Sequence, residues 1–392
     1  QEYVFKYSQS LKSIGKYADA LYWMEKYQKE KKGSITNNTA KNLEIVSSKE
    51  PNTTTNYTKK ENVVSKIDYN RKSKFTIENL YQINTPFSDF GTSQYQNTIL
   101  FASPRKLKKI STEVDESRSA NFLDIYQIDE DDIDFEDMKK PFSKSVNEKF
   151  HESSVSFSPD ENIMYFTRNN YNYGDYKVDG RGYINLKIYK AEFINNRWKN
   201  IKELPFCSDN YSVGHPTVSA DGKLLYFVSD MPGSKGATDI YVVDIKPNGR
   251  FSRPRNLGNT INTKGREMFP FIADDNTLYF SSDGHSGMGA LDIFESEMIN
   301  QEFQEPLNLE APINSRSDDF AFYIKPNKNM GYLSSNRKDG KGDDDIYSFY
   351  LYTEPPICAE PIEGIVTETI NNSPVDGALI KLVNDGGKVV KG

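Results

Sequence analysis

Cysteine, histidine and long apolar runs are all scarce in this sequence. Its 392 residues include two cysteines, Cys207 and Cys358, and three histidines. Two cysteines cannot form a disulfide framework, and no Cys-x-x-Cys or Cys/His cluster indicates zinc. Whether the two cysteines pair or are buried separately is left open by the sequence. No apolar run approaches the roughly 18 residues of a membrane-spanning helix, and no secretory signal peptide is visible.

Positive charge is also in short supply. Lys and Arg total 49 against 56 Asp and Glu, which gives a net charge of −7. Nucleic acid is therefore not expected as a partner, because its phosphates would be repelled. Hydrophobic residues make up 36% and aromatic residues 13% of the chain. We expect a core of aromatic and β-branched side chains, as in β-rich folds.

The chain does contain a clear internal repeat. An apolar segment followed at one fixed spacing by an Asp-Ile-Tyr or Asp-Ile-Phe tripeptide occurs three times, with Tyr241, Phe294 and Tyr347 spaced 53 residues apart. Two less regular copies precede them, with Phe101 and Phe166 in their apolar segments. A fixed period of this size indicates a propeller or a solenoid.

Each repeat has the pattern of four short strands. A strand and an Asp/Asn/Gly turn come first, then the apolar strand, the Asp-Ile-Tyr strand and a polar strand ending in Asn-Leu. We predict a mainly β fold, a β-propeller with five blades, six being the alternative. The last repeat has no outer strand after Tyr352, but residues 75–80 are an orphan copy of one. This segment is predicted to complete the last blade and close the ring.

The remaining segments suggest further modules. Residues 1–31 have helical periodicity around Gly15, Tyr17 and Ala20. They resemble one tetratricopeptide repeat, the alternative being an amphipathic hairpin that caps the next domain. Residues 32–72 are predicted to be a linker, and the propeller occupies 73–353. Residues 354–392 read as a linker and the incomplete start of a β-sandwich similar to carboxypeptidase-regulatory-like domains. We therefore expect the sequence to be part of a longer protein.

The propeller motifs suggest a family. Residues 229–230 with 236–241, 158–160 and 256–258 resemble TolB-type, WD-like propeller repeats. Residues 88–91 with 99–103 are similar to a group of OmpA-family periplasmic proteins that contain tetratricopeptide repeats, such a propeller and a carboxypeptidase-regulatory-like domain. The group includes the PorE-like component of type IX secretion and gliding machinery. The order of modules here matches that group.

This resemblance implies a non-enzymatic periplasmic scaffold, associated with the outer membrane and without a cofactor. Its partners would be outer-membrane or secretion/motility proteins. Peptidoglycan would be bound only through an OmpA-like domain that is absent from these residues. A different interpretation is a carbohydrate- or ligand-binding propeller lectin whose site is the channel mouth. A third, an accessory propeller of a hydrolase, would need a catalytic domain beyond Gly392.

Few residues suggest catalysis or metal binding. His151, His215 and His285 fall at different positions of the repeat, so we interpret them as structural loop residues and predict no enzyme. Asp239, with its equivalents Asp292 and Asp345, follows a glycine at one spacing. It is predicted to pin the loop to the strand through N–H bonds. Calcium binding at residues 339–345 is the alternative, but the EF-hand pattern is missing, so no metal is predicted.

Four carboxylates lie just before the first strand of their repeats: Asp89, Glu152, Glu267 and Asp319. If the innermost strands line the channel, these side chains would ring one mouth of it and form an ion or ligand site. The alternative is that they cap turns.

Two insertions suggest a binding surface. In the first two repeats, the span between the apolar strand and the Asp-Ile-Tyr-like strand is about ten residues longer than in the other three. The first insertion carries Arg105, Lys106, Lys108 and Lys109, and the second carries Tyr171, Tyr173, Tyr176 and Tyr183. Tyr and Arg are enriched at interface hot spots, so we predict a protein-docking surface here. The alternative is disordered decoration.

Overall fold

The computed structural model describes residues 11, 23, 75–105, 114–115, 120–133, 139–172, 174–326, 329–351, 373, 382–383 and 389–391. The helical repeat predicted for residues 1–31 lies outside these residues except for Leu11 and Trp23, which are helical. The linker predicted for 32–72 lies outside them too. The chain divides into two compact units, Gln1–Tyr352 and Thr353–Gly392. In the second unit, Leu382–Val383 pairs with Val389–Lys391, and the rest of the predicted sandwich lies outside the description.

The first unit is a five-bladed β-propeller, as predicted. Each blade is a four-stranded antiparallel sheet. The strands of each blade are given from the innermost outward. Blade 1 contains Phe90–Tyr95, Thr98–Ser103, Asp124–Asp129 and Lys140–Pro141. Blade 2 contains Glu152–Phe157, Ile163–Asn169, Leu186–Phe193 and Trp198–Glu203, and blade 3 contains Val213–Val218, Leu224–Ser229, Asp239–Asp244 and Arg255–Asn256. Blade 4 contains Glu267–Ile272, Leu278–Ser282, Asp292–Ser296 and Leu307–Asn308; blade 5 contains Asp319–Ile324, Met330–Ser335, Asp345–Leu351 and Phe75–Asn79.

A 3-10 turn and several hairpins of two-residue strands lie in the connections between the blade strands. One 3-10 turn, Glu130–Asp132, follows the third strand of blade 1. Three small hairpins pair Val114–Asp115 with Ala120–Asn121, Tyr171–Asn172 with Asp175–Tyr176, and Met298–Ile299 with Glu302–Phe303. The first two hairpins lie in the insertions of blades 1 and 2. Within the described part of the chain, no helix has the length and apolar character needed to cross a membrane.

The N-terminal strand closes the ring, which confirms the sequence prediction. Phe75–Asn79 is the outermost strand of blade 5 and pairs antiparallel with Asp345–Leu351, in the register Phe75 to Leu351 and Asn79 to Tyr347. The Phe75 ring also packs edge-on against Phe349, with the ring centroids 5.6 Å apart. The last blade therefore combines segments from both ends of the propeller sequence, and its third strand is not left as an open edge.

The hydrophobic core consists of five clusters, one between each pair of neighbouring blades. Alternating side chains of one strand enter different clusters: Phe227 packs toward blade 2, whereas Tyr226 and Val228 pack toward blade 4. Cys207 is a free thiol beside the cluster of blades 2 and 3, where burial raises its pKa to about 12. Cys358 lies outside the described residues.

An asparagine side chain links each of four blades to the segment that enters the next blade. Asn262 accepts a bond from the Ile240 N–H and donates one to the Ile240 carbonyl, at 2.8 and 2.9 Å. It therefore pairs with the third strand as another strand would. The same two bonds join Asn147 to Ile125, Asn314 to Ile293 and Asn84 to Ile346. Three of the four asparagines, Asn84, Asn262 and Asn314, stand in an Ile-Asn-Thr or Ile-Asn-Ser sequence, so this short sequence repeat fixes the blade connection.

We predict that Asn262→Ala lowers the free energy of unfolding by about 2 kcal/mol. The substitution leaves both buried backbone groups of Ile240 without their partner, and each such loss costs about 1–3 kcal/mol before relaxation. Chemical denaturation of the two proteins measures the difference. Asn210→Ala is the control, because Asn210 is exposed. Equal destabilisation by the two substitutions would contradict this role for Asn262.

Candidate functional site

The loop aspartates have the structural role that the sequence predicts. Asp239 accepts bonds from the N–H groups of Lys235 and Gly236, at 2.7 and 2.9 Å. Asp292 and Asp345 accept the equivalent bonds from the two residues four and three positions before them. These carboxylates thus hold the loop against the start of the third strand. Among the described residues, no group of three or more His, Cys, Asp or Glu side chains could hold a metal ion.

The four carboxylates expected at the channel mouth lie inside their blades. The side chains of Asp89, Glu152, Glu267 and Asp319 are fully buried, and none of them lines the channel cavity. Asp89 accepts bonds from both the N–H and the hydroxyl of Thr85, each at 2.6 Å. Glu267 and Asp319 accept the same pair of bonds from a Thr or Ser four residues earlier. These bonds are turn capping, the alternative interpretation.

Three of these carboxylates form buried ion pairs with arginine. Arg105 lies 2.6 Å from Asp89, Arg168 lies 2.9 Å from Glu152, and Arg337 lies 2.8 Å from Asp319. Each arginine also donates to a backbone carbonyl six residues before its carboxylate. Each pair therefore ties the end of a second strand, or the residues that directly follow it, to the turn that enters the same blade.

Glu267 occupies the equivalent position in blade 4 and has no arginine among the partners that bond it. Its carboxylate accepts bonds from the N–H and hydroxyl of Thr263 and from the hydroxyl of Ser282. His285, rather than an arginine, contacts the Ile261 carbonyl, at 2.8 Å. Burial without a countercharge raises the pKa of Glu267 to about 8. The side chain is thus protonated near neutral pH.

Five residues with a left-handed backbone conformation form a ring around the channel. One residue in each innermost strand has a φ between 40° and 72°: Gly91, Ser154, His215, Phe269 and Ala321. Each follows the carboxylate position by two residues, and each lies where the pairing with the second strand shifts register. Four of the five are not glycine, which makes the conformation costly and typical of functional sites.

Aromatic rings close the channel at the end where these strands begin. Phe90 of blade 1 and Phe269 of blade 4 are not in neighbouring blades, yet their ring centroids lie 6.1 Å apart. Phe320 of blade 5 contacts both rings, at 5.9 and 5.0 Å. His215 packs on Phe269 at 3.9 Å. Because rings from opposite blades meet across the axis, the channel is a blind cavity.

The cavity opens at the other end, beside the turns between the innermost and second strands. Its inner part, about 250 Å³, is lined by all five innermost strands. An outer funnel of about 690 Å³ shares Phe157, Phe271 and Tyr323 with it. Ser154 and His215 lie at the inner end, with Ser154 Oγ 2.9 Å from His215 Nδ1. Burial lowers the pKa of His215 to about 4, so its imidazole is neutral at physiological pH.

His215 was missed as a site residue and was wrongly assigned to a loop. It lies within the innermost strand Val213–Val218, whereas His151 and His285 lie outside the strands. Ser154 is 61 residues away in the sequence. The signal that relates the two was available, because both follow the carboxylate position of their repeat by two residues.

The insertions of blades 1 and 2 lie side by side, at the closed end of the channel. Phe150 contacts Phe122 of the first insertion at 5.1 Å and Tyr171 and Tyr176 of the second at 5.0 and 5.9 Å. Tyr183 lies on the same second insertion. We call these five residues the insertion surface. Tyr176 and Tyr183 are 58% and 64% exposed, so both rings are accessible to a partner.

The cationic half of the predicted docking surface is only partly described. Arg105 is not available to a partner, because its guanidinium bonds Asp89 and lies 4.9 Å from the centroid of the Phe101 ring. Lys106, Lys108, Lys109 and Tyr173 lie outside the described residues. Of the residues predicted for this surface, the two that are described and exposed are therefore both tyrosines, Tyr176 and Tyr183.

Comparison with known proteins adds little beyond the fold. No protein-family model matches the sequence, and no curated protein matches it. TolB from Acinetobacter baumannii is 19% identical over 65% of this chain and 51% of that chain, with a TM-score of 0.34. An α-L-arabinofuranosidase from Lactobacillus brevis is 12% identical over 70% and 93%, with a TM-score of 0.44. The match spans about half the length of that TolB.

We predict that Glu267 makes the protein less stable as pH rises. Its folded pKa of about 8 exceeds the ordinary value of 4.5, so its stabilising contribution is complete below about pH 4.5 and is lost as pH rises through 8. Glu267→Gln imitates the protonated group and should flatten the fall in unfolding free energy between about pH 5 and 8. Denaturant unfolding at several pH values measures this slope.

Glu305→Gln is the control for that experiment, since Glu305 is exposed. Other buried carboxyls contribute in the same direction, because burial also raises the pKa of Asp124, to about 6. The difference between the two variants therefore isolates Glu267. An unchanged pH slope in Glu267→Gln would show that Glu267 is ionised in the folded protein.

Proposed function

We propose that this chain is a non-enzymatic protein-interaction scaffold that docks a partner through the insertion surface. The observation that carries the proposal is the pair of exposed tyrosines, Tyr176 and Tyr183, held on an ordered loop. The Phe150 ring packs edge to face against Tyr176. Asp179 accepts bonds from the Tyr183 N–H and the Arg181 guanidinium. Rigid exposed aromatic side chains lose little conformational entropy on binding, which favours interface hot spots.

The finer assignment rests on the order of modules in the sequence. The tetratricopeptide-like segment, the propeller and the sandwich-like segment occur in the order found in OmpA-family periplasmic proteins, including the PorE-like component. We propose that the chain acts in the periplasm, beside the outer membrane. Its partner would be a protein of the outer membrane or of type IX secretion or gliding. The parent protein would be anchored to peptidoglycan by a domain outside these residues.

The Ser154–His215 pair does not favour a hydrolase. A general base works best with a pKa near the working pH. The pKa of His215 is lowered to about 4, so its imidazole is a poor acceptor for a serine proton. The pair is better suited to binding than to proton transfer.

We predict that Tyr176→Ser with Tyr183→Ser reduces partner capture at least tenfold. Removing two hot-spot aromatics costs about 1–2 kcal/mol each at an interface. The measurement is affinity capture from detergent-solubilised envelopes with the full chain as bait, followed by quantitative mass spectrometry.

Tyr81→Ser with Tyr350→Ser is the matched control. These two tyrosines are 57% and 47% exposed but belong to the blade-5 side of the ring. The control should retain the partners. Equal retention by both double variants would contradict docking through the insertion surface.

A further inference from the structure

The lining of the blind channel is a second candidate binding surface, and the proposed docking function does not use it. The channel opens beside the turns that precede the second strands, whereas the insertions follow those strands. The two surfaces therefore lie at opposite ends of the blades. A ligand in the channel would not compete for the insertion surface.

The lining of the inner cavity combines aromatic faces with uncharged polar groups. Phe157, Phe269, Phe271 and Tyr323 contribute rings, and Phe271 and Tyr323 lie edge to face at 5.1 Å. Glu161, near the open end, is the one acidic or basic side chain in this lining, apart from the neutral His215. A cavity without a cation does not favour an anionic ligand, because no positive charge would offset the loss of water around the ligand's charge.

Several polar groups of the lining retain unused hydrogen-bonding capacity. The Ser156 and Thr217 hydroxyls accept bonds from the N–H groups of Val218 and Ile272, at 3.0 and 3.3 Å, which leaves each O–H free to donate. The buried Thr92 hydroxyl has no partner among the described residues. His215 is 9% exposed, and of its two ring nitrogens only Nδ1 is bonded to a described residue. A purely apolar ligand would leave these groups unsatisfied.

From this lining we propose that the channel binds one neutral sugar unit of a glycan. A sugar ring has C–H faces that pack on aromatic rings and hydroxyl edges that exchange hydrogen bonds. The inner volume of about 250 Å³ lies near the lower limit of ligand pockets, roughly 300 Å³, and suits a single ring. The outer funnel, with Ser219, Asp274 and Asn329 in its lining, has room for adjoining units.

The test is titration of the full chain with neutral mono- and oligosaccharides, including glucose, galactose, mannose and N-acetylglucosamine. Saturation-transfer NMR and calorimetry report binding. We expect saturable binding of at least one sugar, with a dissociation constant on the order of 1 mM for a single unit.

Two substitutions locate the site. His215→Asn removes the ring and its free nitrogen, while asparagine tolerates the φ of 51°. Ser154→Asn keeps a polar group at φ 40° but fills part of the cavity. Both should weaken sugar binding about tenfold or more and leave protein capture unchanged. Tyr176→Ser with Tyr183→Ser is the converse control and should leave sugar binding unchanged.

Three outcomes would overturn the proposal. They are the absence of saturable binding across the panel, an unchanged sugar affinity in both channel variants relative to the unsubstituted protein, and selective binding of peptides instead of sugars. Loss of sugar binding leaves the docking proposal intact, because the two proposals depend on different residues and readouts. A shared melting temperature among the variants shows that each variant is folded.

Discussion

The architecture depends on one pairing, that of Phe75–Asn79 with Asp345–Leu351. Five sheets enclose an axis only if the last is joined to the first, and this strand supplies the join through backbone bonds and the Phe75–Phe349 contact. Once the ring is closed, every blade has two neighbours. The five interblade clusters and the channel follow from that closure.

Within the closed ring, the repeat reuses a polar framework and varies it locally. Asparagine bridges fix four blade connections, and carboxylate–arginine pairs fix three of the turns. Blade 4 keeps the carboxylate of Glu267 without the arginine, and blade 3 has the buried apolar Val213 in the same place. The apolar replacement shows that the fold accommodates a blade without the ion pair. A buried ion pair offers little net stability over such a replacement.

The sequence was sufficient for the blade count and the closing strand, since both follow from counting repeat units and finding the orphan one. It was insufficient for side-chain direction in the innermost strands. In a regular strand the side chains alternate between the two faces, so the direction of each side chain can be counted along the sequence. Each innermost strand, however, contains a bulge that changes this register. Asp89 and its equivalents therefore turn into the blades, whereas Ser154 and His215 meet in the channel. Arg105 was misjudged because its partner Asp89 belongs to another segment of the chain.

The closing strand has a mechanical consequence. Phe75, where the preceding segment enters the propeller, pairs with Leu351, where the chain leaves it. Force that separates these two flanks would load the first backbone pair alone and then each next pair in turn. Such peeling needs less force than sliding two strands past each other, when all the pairs resist together. Tension between the two flanking segments would therefore break the backbone pairs of the closing strand one after another, and blade 5 would open first.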